Sequence, residues 1–598
     1  MTSRSPATRL PLSSAALAAA AVALATLAVY WPARQAGFVG DDFMILHRLR
    51  GLDGASDALR FFQAEFFDYY RPLGFLSHAV DWSLAGDDPR QYHLTNLLLH
   101  ALSSVLVFFI ARAFSPDWIA GPAAALLFAL HTSNHEAVVW ISARFDLLAT
   151  FWALAAVAWM VNRLPGEAWG PPLLFLPALL SKESVVALPV AAAAWFVFCQ
   201  RYSTRETVLR LTPWLGGLAA YAILRQAAGG VSAFGGAGRA PKLLVFAGVL
   251  LALTACADGR WLRLRTWLIS HAQTAGALLI AGAAGLAIGA LLPGPFGALA
   301  REKLAVVGFA TVYLAAPVAD AGSLAGTLLP LEPLYWRVAL TALAAAAVLG
   351  FVAGPRLLND DRAWFFLAFL VAVLLPISAL TEGRRYLYLP SAVVSIAIGV
   401  WIGGLRRRWR AAALAAVAVL LAVSSWQIAA KLRDWIWAGD MTAAGARLAD
   451  SSLAPACDSG HVVFLTSPVG VRGVYTHFYY ETFEPPRGCI PETFNVLARV
   501  LRVDAALDVN WDGPSRIVMT AAGYRGNFLL SRDLRHFDMP LHPADSLQVD
   551  TPIGELTAGP AGTDMRLTLR LADTVDRSTK FFYYSRGEIR PLLRPQAP

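Results

Sequence analysis

Charge is what this chain lacks first. Only 15% of its 598 residues are charged, against about 25% in a soluble globular domain, and that excludes an ordinary soluble protein. Cysteine is scarce at four residues, with no CxxC pair. There is no glycine-rich phosphate loop and no HExxH helix, so the common nucleotide-binding and zinc-hydrolase signatures are missing. Pairs such as Gly229-Gly230 and Gly235-Gly236 read as loop punctuation. Helix-pair repeats of the tetratricopeptide kind are absent from the tail. So is any two-fold repeat of the apolar segments, which a transporter built from related halves would carry.

What the chain has in abundance is apolar surface. It is 57% hydrophobic, its mean hydropathy is +0.51, and apolar runs recur from residue 11 to residue 428. This is the composition of a polytopic membrane protein. The net charge of +9 comes from arginines in short loops, as the positive-inside rule expects, and is not a nucleic-acid signal.

The first run, 13–31, follows Arg4 and Arg9 and ends on Tyr30-Trp31. It contains small-x-small cleavage patterns, but its length and aromatic end favour a retained span, with the N-terminus cytoplasmic. A first outer loop, 32–92, carries Phe61-Phe62, Phe66-Phe67 and Tyr69-Tyr70, a pattern that suits an interfacial helix. Further runs occupy about 93–114, 118–132, 145–162, 170–181, 184–199, 211–226, 242–257, 268–292, 334–353, 363–380, 388–404 and 411–428. Several are short, which implies ends buried in protein or facing a wet cavity. Arg406-Arg407-Arg408-Trp409-Arg410 belongs on the cytoplasmic side. Parity then gives about thirteen spans if 303–318 is re-entrant or interfacial.

The fold class expected is a polytopic α-helical membrane domain over 1–430, followed by a soluble, β-rich α+β domain over 440–598 on the outer, periplasmic side of a bacterial inner membrane. Strands are expected at 461–465, 516–519, 565–569 and 581–584, with a short helix or two within 440–502. Cys199 and Cys256 read as apolar fillers. Cys457 and Cys489 are either a disulfide or two thiols, since spacing does not decide.

The informative residues are polar ones in apolar surroundings. Asp41 and Asp42 stand side by side just beyond the first span, where lost solvation and mutual repulsion call for a compensating cation, metal or substrate. His93, Asn96 and His100 share one helix face, as a functional stripe or as helix-packing hydrogen bonds. His131-Thr132-Ser133-Asn134-His135-Glu136 offers two histidines four apart, a conceivable metal cluster without an established ligand spacing, or else helix caps. Arg144 and Asp146 are close enough in sequence to neutralise one another. Lys182, in Ser181-Lys182-Glu183-Ser184, is either a phosphate anchor or an ion pair with Glu183. Arg384 and Arg385 lie on the outer side against the positive-inside rule, so an anion is expected there, a phosphate clamp or a lipid headgroup.

These segments together resemble the GT-C superfamily of polytopic glycosyltransferases, in its protein O-mannosyltransferase-like branch. The phrases that carry the likeness are Phe38-Val39-Gly40-Asp41-Asp42, Tyr70-Arg71-Pro72-Leu73, and His93-Leu94-Thr95-Asn96-Leu97-Leu98-Leu99-His100. They continue with Phe128-Ala129-Leu130-His131, with Glu136 through Trp140 to Arg144-Phe145-Asp146, with Ser181-Lys182-Glu183-Ser184, and with Arg385-Tyr386-Leu387-Tyr388-Leu389-Pro390. The likeness covers residues 11 to about 200 and one motif near 385.

It implies an inverting transferase that takes a monosaccharide from a polyprenyl-phosphate donor to an acceptor hydroxyl at the outer membrane face. By the same likeness Asp41 or Asp42 supplies the base and Glu136 is a second acidic position. Lys182, Arg384, Arg385 and Arg71 would meet the donor phosphate, and Tyr70, His93, Asn96, His131, Arg144 and Tyr388 would line the substrate pocket. The implied partners are the lipid-linked donor, membrane lipid and a protein or glycan acceptor, with no nucleic acid. A divalent cation is possible and no other cofactor is implied. Two departures stand out: Thr132 follows His131 where many relatives have proline, and the tetratricopeptide repeats are missing. The alternatives are a flippase of lipid-linked sugars and a catalytically silent scaffold on the same fold.

Overall fold

The structure is a computed structural model. It describes residues 12–270 and 359–595, with breaks at 53–56, 64–68, 163–168, 230–239, 375 and 377–383 and in loops from 458 onward; of 271–358 only Leu314 is described. The chain divides into two compact units. One takes in Met1–Arg34, Leu52–Asp320 and Leu331–Ala430; the other takes in Gln35–Gly51 and Lys431–Pro598.

The first unit is helical. Its helices are α1 (Leu12–Tyr30), then, after α2 (Asp42–Arg50) of the second unit, α3 (Pro72–Ala85), α4 (Pro89–Phe114), α5 (Ala120–Ala129), α6 (His135–Val139), α7 (Arg144–Asn162) and α8 (Gly170–Ser181). They continue as α9 (Leu188–Ala194), α10 (Thr204–Ala227), α11 (Ala240–Ala255), α12 (Arg260–Ser270), α13 (Asp361–Leu374), α14 (Tyr388–Gly404) and α15 (Arg407–Cys457), the last running on into the second unit.

Local chemistry sets the helix starts. Asp88 caps α4 by accepting from Arg90 N at 3.0 Å, with Pro89 in the first turn. Ser203 and Glu206 form a reciprocal capping box at α10. Where α14 meets α5, a Cβ on Gly399 would strike Ala120 and Ala124, and one on Gly403 would strike Ser115. That close approach of small residues is how helices pack where apolar lipid removes the hydrophobic drive.

Six helical stretches among the described residues are long and apolar enough to cross a membrane: Ser14–Gln35, Pro89–Phe114, Ile141–Asn162, Thr204–Ala227, Arg384–Gly404 and Arg407–Arg447. Ala120–Ala129, Gly170–Ser181 and Glu183–Cys199 are apolar but shorter. The expected count of about thirteen is therefore not confirmed among the described residues. The runs 118–132, 170–181 and 184–199 are helices too short to span, and most of 268–292, all of 334–353 and all but Leu314 of 303–318 lie outside the described residues. The interfacial helix expected in the first outer loop falls partly on 64–68, outside the described residues. Asp57–Phe62 makes a short 3-10 turn, and Tyr69-Tyr70 is not helical. Bulky aromatics lose rotamer freedom in a helix, and Phe61 instead stacks on Phe75 at 5.3 Å.

The second unit is β-rich. One sheet has the order β13-β12-β1-β4-β7-β8, the other β5-β6-β11-β10-β9. Here β1 is Val462–Pro468, β4 Phe494–Val500, β5 Leu507–Trp511 and β6 Arg516–Ala521, while β7 is Phe528–Ser531 and β8 Phe537–Pro540. The remainder are β9 Leu547–Thr551, β10 Gly554–Ala561, β11 Asp564–Leu571, β12 Lys580–Ser585 and β13 Glu588–Leu592; β2 and β3 (Gly470–Val471 and Val474–Tyr475) form a separate ribbon. All four strands expected from sequence are present.

Alternation builds the core. Leu507 and Val509 point inward while Asp508 and Asn510 point out, and Leu567 and Leu569 alternate with Arg566 and Arg570. The inward residues of both sheets join Val463, Ile517, Met519, Leu556 and Phe581 in one cluster. Within the stretch expected to hold short helices, the helical part is the end of α15, and the described remainder is strand. Cys457 ends α15, and Cys489 lies outside the described residues, so the disulfide expectation does too.

Candidate active site

Three breaks in helices of the first unit deliver the charged side chains. Arg71 has non-helical backbone (φ −134°, ψ 56°) and precedes Pro72, which opens α3. Lys182 has extended backbone, in the gap between α8 and a 3-10 turn at Glu183–Val185. Arg384 and Arg385 open the 3-10 turn Arg384–Leu387 that leads into α14. The fourth contributor is the first turn of α7, whose Phe145 ring lies so close to α3 that a Cβ on Gly74 would overlap it.

From these positions three cation–carboxylate pairs assemble. Arg71 makes a two-pronged contact with Glu183. Lys182 Nζ donates to both carboxylate oxygens of Asp146, at 2.7 and 2.6 Å. Arg385 donates to Glu136 at 2.8 Å, while the backbone N–H of the buried Arg384 donates to the other Glu136 oxygen at 3.1 Å.

Aromatic rings wall the group. Tyr386 lies under both Lys182 (4.8 Å) and Arg385 (4.6 Å), Trp140 under Arg385 (4.6 Å), and Tyr69 under Arg71 (4.1 Å). Arg385 also donates to the Tyr386 hydroxyl at 3.1 Å. Lys182 and Asp146 are nearly sealed from solvent, at 6% and 7% side-chain exposure, while Arg385 and Glu183 keep 24% and 36%. The cluster thus has a closed and an open side.

Burial would push the Glu136 carboxyl up, but the Arg385 guanidinium, with His135 and Arg384, holds it below the usual carboxylate range. Burial pushes the Lys182 ammonium down to about 8; Asp146 opposes this, and the nearby Arg71 and Arg385 reinforce it. An ammonium that is charged at neutral pH and easily discharged above it suits reversible anion binding.

The pairings differ from those that sequence proximity suggests. Asp146 does not neutralise Arg144, nor Glu183 its neighbour Lys182. Arg144 is fully buried and pairs with Asp81 at 2.5 Å. Its Nε donates to Asn96 Oδ1 at 2.8 Å and its terminal nitrogens donate to the Tyr92 and Ser77 carbonyls at 2.7 and 3.2 Å. Asn96 in turn donates to the Val138 and Trp140 carbonyls. Arg144 and Asn96 therefore tie α3, α4 and α7 together.

The other expected pocket residues are also engaged. Tyr388 meets His100 Nδ1 at 2.7 Å, and His100 Nε2 faces the Ala129 carbonyl at 3.0 Å. A carbonyl only accepts, so the proton sits on Nε2 and the tyrosine hydroxyl donates to Nδ1. Tyr70 is buried and donates to Phe62 O at 3.2 Å, and His93 is buried on α4. His131 and His135 do not share a helix. His131 caps the 3-10 turn Thr132–Asn134 by accepting from Ser133 N, and His135 meets Thr132 O at 2.6 Å. Among the described residues no three His, Cys, Asp or Glu side chains converge as a metal site would require.

Asp41 and Asp42 belong to the second unit. The turn at Gly40, with φ +55°, brings the Asp42 carboxylate back to accept from Val39 N at 2.9 Å. Asp42 is buried at the start of α2, and Asp41, its N-cap, stays half-exposed without a side-chain capping bond. In the same unit a Cβ on Gly439 would fall on the backbone of Gly37, which places that loop directly against α15.

Sequence reasoning read Asp146 and Glu183 only as neighbours that could neutralise Arg144 and Lys182 and gave Asp81 and Tyr386 no role, although Asp146, Glu183 and Tyr386 sit inside the phrases it singled out. The usable signal was the mixture of acids and bases within those phrases.

No family model matches the chain. Protein O-mannosyl-transferase Tmtc1 of Drosophila melanogaster is 30% identical over 172 residues, 26% of this chain and 20% of that protein. Protein O-mannosyl-transferase TMTC3 of Mus musculus is 31% identical over 188 residues, 29% of this chain and 20% of that protein. The match thus spans about a fifth of the length of these curated relatives. Among solved structures, ArnT from Cupriavidus metallidurans bound to undecaprenyl phosphate aligns over 81% of this chain and 86% of its own, at 14% identity and a TM-score of 0.28. An overlap that low does not establish a common fold. Over about a quarter of its length, this chain is similar in sequence to the protein O-mannosyl-transferases.

Proposed function

We propose that this chain is a membrane glycosyltransferase that moves a monosaccharide from a polyprenyl-phosphate donor to an acceptor hydroxyl, with inversion, at the periplasmic face of a bacterial inner membrane. The acceptor is a protein, a glycan or a lipid-linked glycan. The observation that carries the reading is the gathering of Arg71, Lys182 and Arg385, from segments far apart in sequence, into one aromatic-walled, partly open cluster. Three cations in such a place suit a phosphate that gains charge as its bond to the sugar breaks. The names of the curated relatives point to the same reaction class.

In this reading the acceptor oxygen attacks the anomeric carbon as the bond to the phosphate oxygen breaks. The acceptor proton passes to a carboxylate and the polyprenyl phosphate leaves as a monoester. Arg71, Lys182 and Arg385, with Arg384 beside them, hold the phosphate and stabilise its developing charge. The base is assigned to the Asp41–Asp42 doublet on the family resemblance. Within it Asp41 is favoured, since Asp42 is buried and accepts from the backbone of its own turn.

Transfer of labelled sugar from a polyprenyl-phosphate donor, measured with the purified full chain, tests the reading. Lys182→Met and Arg385→Met are each expected to weaken donor use roughly 10- to 100-fold, the worth of one charged hydrogen bond. Asp41→Asn is expected to abolish turnover. Wild-type transfer in both Asp41→Asn and Asp42→Asn would refute the assigned base.

A further inference from the structure

The three cations of the cluster are not equally served by its three acids. Glu183 acts on Arg71 and Lys182, and Glu136 on Arg385 and Arg384. Asp146 is within electrostatic reach of Arg71, Lys182, Arg385 and Tyr386 alike. It engages Lys182 through both oxygens and is almost fully buried. A carboxylate so placed occupies the ground where the oxygens of a phosphate would be received. Arg71, Lys182 and Arg385 are each already paired with a carboxylate, so an incoming phosphodiester competes for them with an anion already present.

Resting on the phosphate-binding reading above, we propose that Asp146 is the internal counter-anion of the donor site, a positioning residue that holds the Lys182 ammonium while the site is empty and yields it to the phosphate when the donor binds. After transfer the phosphate is a monoester of higher charge, and Asp146 competes for Lys182 again, which speeds release. The pairing also keeps Lys182 protonated against its burial and against Arg71 and Arg385. Among the described residues, Tyr386, Glu136, Glu183, Arg384 and His135 are further titratable or charged groups of the cluster.

The test is calorimetric binding of farnesyl phosphate, a soluble short-chain probe, to the full chain in detergent. Lys182→Arg keeps a permanent charge at position 182, and in that background Asp146→Asn is expected to tighten binding about tenfold. With Lys182 retained, Asp146→Asn is expected to move the alkaline loss of binding to lower pH, and Asp146→Glu to restore it. A merely structural aspartate would move neither. If folded Asp146→Asn in the Lys182→Arg background binds no tighter, or if the alkaline limb stays in place, the counter-anion role is overturned. If Lys182→Met and Arg385→Met bind as the wild type does, the phosphate site itself is refuted. If they weaken binding while the Asp146 variants behave as wild type, only the counter-anion role falls.

Discussion

Arg144 and Lys182 are both buried cations paired with aspartate, yet their surroundings give them different tasks. Arg144 spends its donors on Asp81, Asn96 and two backbone carbonyls. Removing its counter-charge strands a guanidinium away from solvent, a loss that runs to about 3–5 kcal/mol. Asp81→Ala should therefore lower the melting temperature of the protein in detergent sharply, and the pair Asp81→Ala with Arg144→Met should cost less than the sum of its parts. Lys182 has a softer setting, with Asp146 as its hydrogen-bonded carboxylate and an ammonium pushed down to about 8. The cation is thus present below that pH and lost as pH rises through it. Phosphate binding should fall in step above about pH 8, and Lys182→Arg, which does not deprotonate, should hold its affinity to higher pH. Both pairings escaped sequence reasoning for one reason. Residues two apart on a helix face opposite sides, so Asp146 points away from Arg144. The extended backbone at Lys182 likewise turns it away from Glu183.

The helices show how small residues set distances that charged ones use. Gly399 lets α14 press on Ala120 and Ala124 of α5, and the hydrogen bonds among Tyr388, His100 and Ala129 tie α14, α4 and α5 together. The 3-10 turn carrying Arg384 and Arg385 leads directly into α14, so it inherits that position. Gly399→Leu should overpack the contact, at about 1–3 kcal/mol, and weaken phosphate binding without touching a charged residue. Gly216 of α10 has open space around it, and Gly216→Ala should leave binding alone while raising stability by about 0.5–1 kcal/mol through helix propensity. Thermal unfolding together with phosphate binding in the two variants checks this. Apolar runs revealed where these helices lie, because length and hydropathy are local properties. The small-residue contacts were not legible, since a glycine in a run looks the same whether it faces lipid or a neighbouring backbone.

For the molecule as a whole, composition and charge asymmetry carried most of the information. An exposed run of arginines at 406–408 opens α15, and positive charge next to a span is retained on the cytoplasmic side. With the four native cysteines replaced by serine, a cysteine at Arg408 should resist a membrane-impermeant maleimide applied to spheroplasts. One at the exposed Ser578 should react; the reverse pattern would invert the proposed orientation. The sequence by itself determined that the chain is rich in apolar helices, that its tail is β-rich, and which short phrases hold its chemistry. Each of these is written in neighbouring residues and their periodicity. Only the tertiary structure decided that Arg71 faces Glu183, that Lys182 faces Asp146, that Arg385 faces Glu136, and that Arg144 is a tie between helices. A charge finds its partner through space, across loops whose geometry no local pattern encodes, and the cost of leaving it buried alone makes that choice binding.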